Sequence, residues 1–245
     1  LVGSEMCIRD RLAVYSPHER EMRARGIPVF GSGQVFPFPE DRIMVEPFAI
    51  PNHYARICGL DFGFDHPTAA IWVAWDRESD TVYLYDEHYQ NKQTAVVHAA
   101  AINTRPRYIP VVWPHDGYQH DKGSGLQLAQ QYRSQGVNMT AEHFRNPVAL
   151  GESSKGKGSN SIEVGILEMY QMMEQGRFKV FSTCRNWLQE FREYHRQDGK
   201  IVPLKDDAMS ASRYAVMSRT RYAVVGDGSD NYSDYNIEYD HSGII

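Results

Sequence analysis

Two neighbouring apolar segments separated by a polar turn give the clearest strand pattern in the first half of the chain. Residues 69–75 and 81–89 are rich in β-branched and aromatic side chains, and a charged turn over residues 76–80 separates them. Runs of this composition on either side of a turn are typical of paired strands. The pattern therefore predicts an antiparallel hairpin.

Two shorter apolar runs predict buried strands on either side of the hairpin. Residues 55–60 form the first run, which ends at Asp61. Residues 109–113 form the second, which ends shortly before Asp116. Continuous apolar runs of this length are consistent with strands that are covered on both faces. Each predicted strand is thus followed closely by an acidic residue.

Helical periodicity dominates the second half of the chain. In residues 161–175 the side chains of Ile162, Ile166, Met169 and Met173 fall on one side of a helix. Further helices are predicted over residues 94–103, 124–135, 187–195 and 206–222, and short strands over residues 138–142, 178–181 and 200–202. Hairpin strands followed by helices indicate a mixed α/β domain with an antiparallel part.

The chain divides into four segments by composition. Residues 1–10 carry neither a capping signal nor the apolar stretch of a signal peptide, and we interpret them as a non-native leader. Residues 11–54 are punctuated by proline and glycine, which predicts a linker or lead-in segment. Residues 55–223 form the predicted folded domain. Residues 224–245 are rich in Gly, Asp, Ser and Tyr, which predicts a disordered acidic tail.

Composition and charge narrow the class of protein. The 245 residues are 42% hydrophobic and 23% charged, which is enough for one substantial core. No apolar run reaches the roughly 18 residues of a membrane span, and three scattered cysteines do not make a disulfide framework. The net charge is −5. Because much of the excess acid lies in the tail, the near-neutral body neither indicates nor excludes nucleic-acid binding.

Three carboxylates stand where predicted elements begin or end: Asp61, Asp116 and Asp207. Acids at strand ends and helix starts can converge at one edge of a sheet, and carboxylate oxygens are the ligands of Mg²⁺ or Mn²⁺. The nearby His66 and His115 could line the same cleft. Plain local roles also fit these acids: a turn residue, a loop residue and a helix cap.

A glycine-rich segment over residues 151–158 has the pattern G-x-x-x-x-G-K of a phosphate-binding loop. Gly158 stands where a Ser or Thr should supply a magnesium-binding hydroxyl, and Pro147 makes the preceding segment a poor strand. Three interpretations stay open. The segment is a nucleotide-binding loop, a flexible loop whose Lys155 and Lys157 contact phosphates of a polymer, or a solvated loop without a ligand.

Five short motifs can be compared with known families: residues 59–63 (GLDFG), 66–70 (HPTAA), 113–117 (WPHDG), 176–181 (GRFKVF) and 205–215 (KDDAMSASRYA). Taken together they resemble the nuclease domain of the large terminase subunit of tailed bacteriophages. The lead-in over residues 15–33 is similar to the segment that joins the motor of that family to its nuclease. The resemblance covers about residues 12–223, and the last motif is the most specific.

The resemblance implies a ribonuclease H-like mixed sheet flanked by helices, whose acids hold two divalent ions, Mg²⁺ or Mn²⁺, and cut double-stranded DNA. It implies Asp61, Asp116 and Asp207 as catalytic and metal-binding residues. Asp206 and Glu163 are further candidate ligands.

Basic residues are the candidates for phosphate contacts with DNA. Lys155, Lys157 and Arg213 would position the backbone without reading its sequence. Arg213 fits a second role equally well, in which it pairs with one of the acids and orients it.

The resemblance also implies partners and a location: an upstream ATPase domain in the intact protein, the portal protein, the small terminase subunit and the cytoplasm of the infected host, without a membrane. Two other functions stay open on the residues alone. The chain could be a nucleoside-triphosphatase that uses residues 151–158, or a non-catalytic docking module whose tail over residues 224–245 binds the portal or another capsid-assembly protein.

Overall fold

The structure of the protein is a computed structural model that describes residues 33–120, 125–146 and 161–226. The expected leader, the glycine-rich loop with Lys155 and Lys157, and most of the expected tail lie outside the described residues. No helix within the described part of the chain is long and apolar enough to cross a membrane.

The strands in chain order are β1 (Gly33–Gln34), β2 (Met44–Val45), β3 (Ala55–Asp61), β4 (Thr68–Asp76), β5 (Thr81–Gln90), β6 (Val111–Val112), β7 (Phe178–Phe181), β8 (His195–Gln197) and β9 (Lys200–Ile201). The α-helices are α1 (Ala95–Ile102), α2 (Leu128–Ser134), α3 (Ile162–Glu174), α4 (Arg185–Glu193) and α5 (Asp207–Tyr222). Two 3₁₀ turns cover Glu40–Arg42 and His115–Tyr118.

The main sheet has six strands in the order β2-β7-β5-β4-β3-β6. Strands β3, β4 and β5 pair antiparallel, whereas β6 runs parallel to β3, and β7 runs parallel to both β5 and β2. The sheet is therefore mixed, and its antiparallel part is the predicted hairpin with the buried strand beside it. A second sheet, in the order β1-β8-β9, has three short strands.

Strand β3 is buried on both faces because helices cover both sides of the sheet. Successive side chains of a strand point to opposite faces, and in β3 they join two separate clusters. Ile57 packs in the cluster that contains Ala211 and Ala215 of α5, whereas Cys58 and Leu60 join the cluster with residues of α1 and α2. This layered arrangement is the predicted α/β fold, and the inner strand β3 ends at Asp61.

The lead-in is more closely integrated than the sequence predicts. Strand β2 pairs with β7 at one edge of the main sheet, and Phe36 and Ile43 are fully buried in the core. Residues 33–54 thus belong to the folded unit and are not a separate connector. Two-residue strands carry no readable periodicity, which explains why the pattern placed the domain start at residue 55.

Other boundaries differ by a few residues. The strand predicted over residues 138–142 is a single parallel bridge between Met139 and Val111. The helix predicted over residues 187–195 is α4, which begins at Arg185 and ends at Glu193, so that His195 lies in β8.

Candidate metal centre

Asp61 lies at the carboxyl end of β3, where the chain leaves the sheet. A short loop follows and returns into β4, and the Thr68 hydroxyl holds this loop closed. That hydroxyl donates to the Gly63 carbonyl at 2.8 Å and accepts from the Gly63 amide at 3.1 Å. The loop therefore has a defined path, and Asp61 is held at the sheet edge by pairing with Ala69.

Helix α5 brings Asp207 to the same edge. The helix crosses β3 so closely that a Cβ atom on Gly59 would lie 1.9 Å from the Ala211 carbonyl oxygen. Asp207 is the first residue of α5 and precedes Ala211 by about one helical turn. Gly59 precedes Asp61 by two residues on the same face of the strand. The close contact between strand and helix thus sets the two acids beside one another.

The three acids Asp61, Asp206 and Asp207 repel one another in a shielded environment. Burial raises the pKa of Asp61 well above its usual value, and the charges of Asp207 and Asp206 raise it further. The pKa values of Asp206 and Asp207 are also raised, mainly by burial. Arg213 and a hydrogen bond from Tyr214 offset part of the rise at Asp61. Such concentrated negative charge on hard oxygen donors fits a divalent cation such as Mg²⁺ or Mn²⁺.

Two side chains contact this acid group directly. The Nδ1 atom of His66 lies 2.6 Å from Oδ1 of Asp207, although the His66 side chain is 60% exposed. The Tyr214 hydroxyl donates to Oδ1 of Asp61 at 3.4 Å. His66, one of the two histidines expected to line the cleft, therefore lies beside one of the acids, and Tyr214 of α5 lies beside another.

Asp116 lies at the same edge of the sheet but on its rim. Strand β6 pairs in parallel with β3, with Val112 opposite Gly59, so both strands leave the sheet in the same direction. The 3₁₀ turn that carries Asp116 packs against the residue after Asp61, since a Cβ atom on Gly117 would lie 3.0 Å from Phe62 Cε2. Asp116 itself is exposed.

The acids are not gathered into a ready metal cage. Across residues 33–120, 125–146 and 161–226, no group of three or more His, Cys, Asp or Glu side chains is arranged so that it could hold a metal ion. The structure thus couples Asp61, Asp206 and Asp207 and leaves Asp116 at the rim.

Glu163 is engaged elsewhere. Both of its carboxylate oxygens accept hydrogen bonds from Arg196, at 2.7 and 2.6 Å. Arg196 is buried, so this ion pair joins α3 to β8 in a shielded position. The structure therefore places Glu163 in a structural ion pair and not among the acids beside Asp61.

Arg213 is buried and faces aromatic rings. The residue is 5% exposed, and its guanidinium lies 5.3 Å from the Phe144 ring centroid and 4.7 Å from that of Tyr214. Its charge lowers the pKa of Asp61. Of the two roles left open by the sequence, this environment favours the one in which Arg213 orients and neutralises an acid.

Glu190 is a residue that sequence reasoning missed. It is 3% exposed, and its Oε2 atom accepts hydrogen bonds from the backbone amides of Ala208 and Met209, directly after Asp207. No local motif marks Glu190, because its partners lie 18 and 19 residues further along the chain. The amphipathic pattern of α4 predicts a helix there but does not predict what a buried acid on it would bind.

The comparison with protein families decides the assignment. The model described as "Terminase RNaseH-like domain" matches residues 58–219, which include Asp61, Asp116 and Asp207. The chain belongs to this family. Its fold is the ribonuclease H-like terminase nuclease fold, as the sequence motifs indicated.

Large terminase subunits of two phages are similar to the chain over most of its length. The subunit of Enterobacteria phage LP7 is 45% identical over 211 residues, which are 86% of this chain and 42% of that protein. The subunit of Salmonella phage P22 is 45% identical over 209 residues, which are 85% of this chain and 40% of that protein. The chain thus spans about two fifths of the length of these relatives.

Solved structures agree with this assignment. The P22 large terminase nuclease domain has a TM-score of 0.70 and 43% identity, and the match covers 80% of this chain and 96% of that one. The nuclease domain of the bacteriophage SPP1 large terminase, described with bound Mn, has a TM-score of 0.50 and 16% identity, with 70% and 93% coverage. At that identity, the second likeness shows the fold alone.

Proposed function

We propose that this nuclease domain hydrolyses phosphodiester bonds of double-stranded DNA with divalent metal ions during viral genome packaging. The observation that carries the proposal is the close approach of β3 and α5, which brings Asp61 and Asp207 to one sheet edge. There burial raises the pKa values of Asp61, Asp206 and Asp207. Structural ion pairs lower the pKa of their acids, whereas acids whose pKa stays raised despite a nearby cation are typical of functional sites.

Within this proposal, Asp61 and Asp207 are the central metal ligands, with Asp206 beside them and Asp116 at the rim. Two Mg²⁺ or Mn²⁺ ions at such a site would supply an activated water and stabilise the departing oxygen. Tyr214 and Arg213 would orient Asp61, and His66 would hold Asp207. The Mn bound to the SPP1 domain, which shares the fold, supports this choice of metal.

The proposal also covers the intact protein, because the large terminase subunits that resemble this chain are more than twice as long as the matched region. An ATPase domain would precede this domain in the intact protein, and the portal protein and small terminase subunit would be its partners. It would act in the cytoplasm of the infected bacterial host. Lys155 and Lys157 remain proposed phosphate contacts.

The proposal is tested by cleavage of a supercoiled plasmid with the 245-residue chain. We expect nicked and linear products with millimolar Mn²⁺, and none when EDTA exceeds the metal, because the acids cannot activate water without an ion. ATP should not be required. Absence of cutting at every Mn²⁺ and Mg²⁺ concentration, or cutting that persists in EDTA, would contradict the proposal.

A lysine at the same edge of the sheet is a proposed DNA contact within the described residues. Lys92 is exposed, and its backbone amide donates to the Phe64 carbonyl at 2.8 Å, in the loop that follows Asp61. We expect Lys92→Ala to weaken DNA binding several-fold in EDTA, and to lower the slope of log affinity against log salt by about one, since one phosphate contact is lost.

The control for this prediction is Lys179→Ala. Lys179 of β7 pairs with Tyr83, near the start of β5. Tyr83 and Gln90 are separated along β5 by roughly 20 Å or more, because a strand rises about 3.3 Å per residue. Lys179 therefore lies far from the sheet edge that carries Lys92. Fluorescence anisotropy with a labelled duplex at several salt concentrations measures both variants. An unchanged salt slope for Lys92→Ala, or equal slopes for the two variants, would remove Lys92 from the DNA interface.

A further inference from the structure

The helix that carries Asp207 lacks a cap from its own sequence. Asp206 occupies the N-cap position of α5 but makes no side-chain capping bond. The free amides of a first helical turn need acceptors. Here Glu190 supplies one, as its Oε2 atom accepts from Ala208 N at 2.8 Å and from Met209 N at 3.0 Å.

A second contact holds the same turn of α5 against α4. Trp187 Nε1 donates to the Ser212 hydroxyl at 2.7 Å, and that hydroxyl donates to the Ala208 carbonyl at 2.7 Å. Trp187 and Glu190 are three residues apart and so lie on one face of α4. All these atoms are buried, so water does not compete for the bonds. The start of α5 is therefore held against α4 by two sets of hydrogen bonds, one from Glu190 and one from Trp187 through Ser212.

The start of α4 is in turn fixed to the main sheet. Glu87 of β5 accepts hydrogen bonds from the backbone amides of Asn186 and Trp187, both at 2.9 Å. Strand β5 pairs with β4, which pairs with β3 and Asp61. A continuous series of hydrogen-bonded contacts thus links the strand that carries Asp61 to the helix turn that carries Asp207.

We propose that Glu190 is a positioning residue for metal binding, which holds the first turn of α5 so that the Asp207 carboxylate stays opposite Asp61. This inference rests on the proposed function, because it takes Asp207 as a metal ligand. Residues that orient a metal ligand from behind typically contribute about 10–100-fold to metal affinity. In this proposal the important property of Glu190 is a side chain long enough to accept hydrogen bonds from two backbone amides, and its negative charge is secondary.

Three variants of Glu190 separate the effect of side-chain length from the effect of charge. Glu190→Gln keeps an oxygen at the same distance, and we expect its Mn²⁺ affinity to stay within about threefold of the parent. Glu190→Asp keeps the charge but shortens the side chain, and Glu190→Ala removes the acceptor. For these two we expect Mn²⁺ affinity to fall about tenfold or more. Isothermal titration with Mn²⁺, without DNA, gives the affinities.

Cleavage assays add a measurement that general destabilisation would not reproduce. For Glu190→Asp, the Mn²⁺ concentration at half-maximal cleavage should rise about tenfold, whereas the rate at saturating Mn²⁺ should stay within about threefold. The matched control is Glu168→Ala, which removes the 2.9 Å bond to Arg219 near the other end of α5. It should lower the melting temperature without changing Mn²⁺ affinity more than about twofold.

The outcomes distinguish this inference from the proposed function. If Asp207→Asn binds Mn²⁺ as the parent does, the assignment of Asp207 as a ligand is wrong. If Asp207→Asn loses binding but Glu190→Asp binds normally, only the role of Glu190 is overturned. Weaker binding in Glu190→Gln than in Glu190→Asp would also overturn it, because charge and not reach would then be the property that matters.

Discussion

Replacing Asp61 with asparagine is expected to abolish DNA cleavage and at the same time to raise the melting temperature of the metal-free protein. Cleavage should fall on the order of 10³-fold, because the central ligand of the proposed site is lost. The stabilisation follows from electrostatics, since asparagine removes a negative charge that burial disfavours and that Asp207 and Asp206 repel. The same side chain would thus be essential for activity and unfavourable for the metal-free fold.

The sign of the effect follows from proton binding. The pKa of Asp61 is raised in the folded state above the usual value of 3.8, so the folded protein holds this proton more tightly than the unfolded chain. The stabilisation of the fold by proton binding to Asp61 is fully present below the usual pKa. It is lost as the pH rises through the raised pKa of the folded state. The difference in melting temperature between Asp61→Asn and the parent should therefore be largest at neutral pH and shrink in acid.

Differential scanning fluorimetry in EDTA between pH 4 and 8 measures this difference. A gain of 1 kcal/mol corresponds to about 2–4 °C for a protein of this size. Added Mn²⁺ should raise the melting temperature of the parent but not of the variant. Asp65→Asn is the control, because Asp65 is an exposed acid of the adjacent loop. A variant that still cuts DNA, or that melts below the parent in EDTA at neutral pH, would contradict the prediction.

The long strands of the fold could be predicted from the sequence. Strands β4 and β5 have nine and ten residues, so their β-branched and aromatic composition and the charged turn between them indicate a hairpin without tertiary information. Strands β1 and β2 have two residues each, which is too short for any period. Their pairing depends on partners more than 100 residues away in the chain, and only the folded structure reveals it.

The candidate site also contains features that the sequence predicts and features that it does not. The positions of Asp61 and Asp207 at element ends could be predicted from the sequence, and the family motifs made both residues candidate metal ligands. The ion pair that engages Glu163 and the burial of Arg213 could not be read, because both depend on side chains from distant elements. An acidic residue at the start of a helix looks the same in sequence whether it faces a metal site or an arginine.

Replacing Gly59 with alanine is expected to be the most destabilising single methyl addition at the strand–helix contact. The new Cβ atom would lie 1.9 Å from the Ala211 carbonyl oxygen, 2.8 Å from the carbonyl carbon and 3.0 Å from the Ala215 amide nitrogen. All three are backbone atoms, so no side chain can rotate away and α5 itself must shift. Overpacking of this kind costs about 3 kcal/mol, or about 6–12 °C in melting temperature for a chain of this size.

The same shift should weaken metal binding, because Asp207 lies one turn from Ala211 on the displaced helix. We therefore expect Gly59→Ala to lower both the melting temperature and the Mn²⁺ affinity, as measured by scanning fluorimetry and titration. Cys58→Ala is the control, since Cys58 is equally buried but packs in the cluster on the opposite face of β3. That variant should lose some stability and keep its Mn²⁺ affinity.

A double variant shows whether the backbone is the obstacle. Ala211→Gly removes the only side-chain atom of that residue but leaves its carbonyl oxygen in place, so it should not rescue Gly59→Ala. Rescue would mean that the Ala211 methyl group and not the main chain limits the approach of the helix. A Gly59→Ala protein as stable as the parent would mean that β3 and α5 are further apart than the structure places them, and the close pairing of Asp61 with Asp207 would then lose its basis.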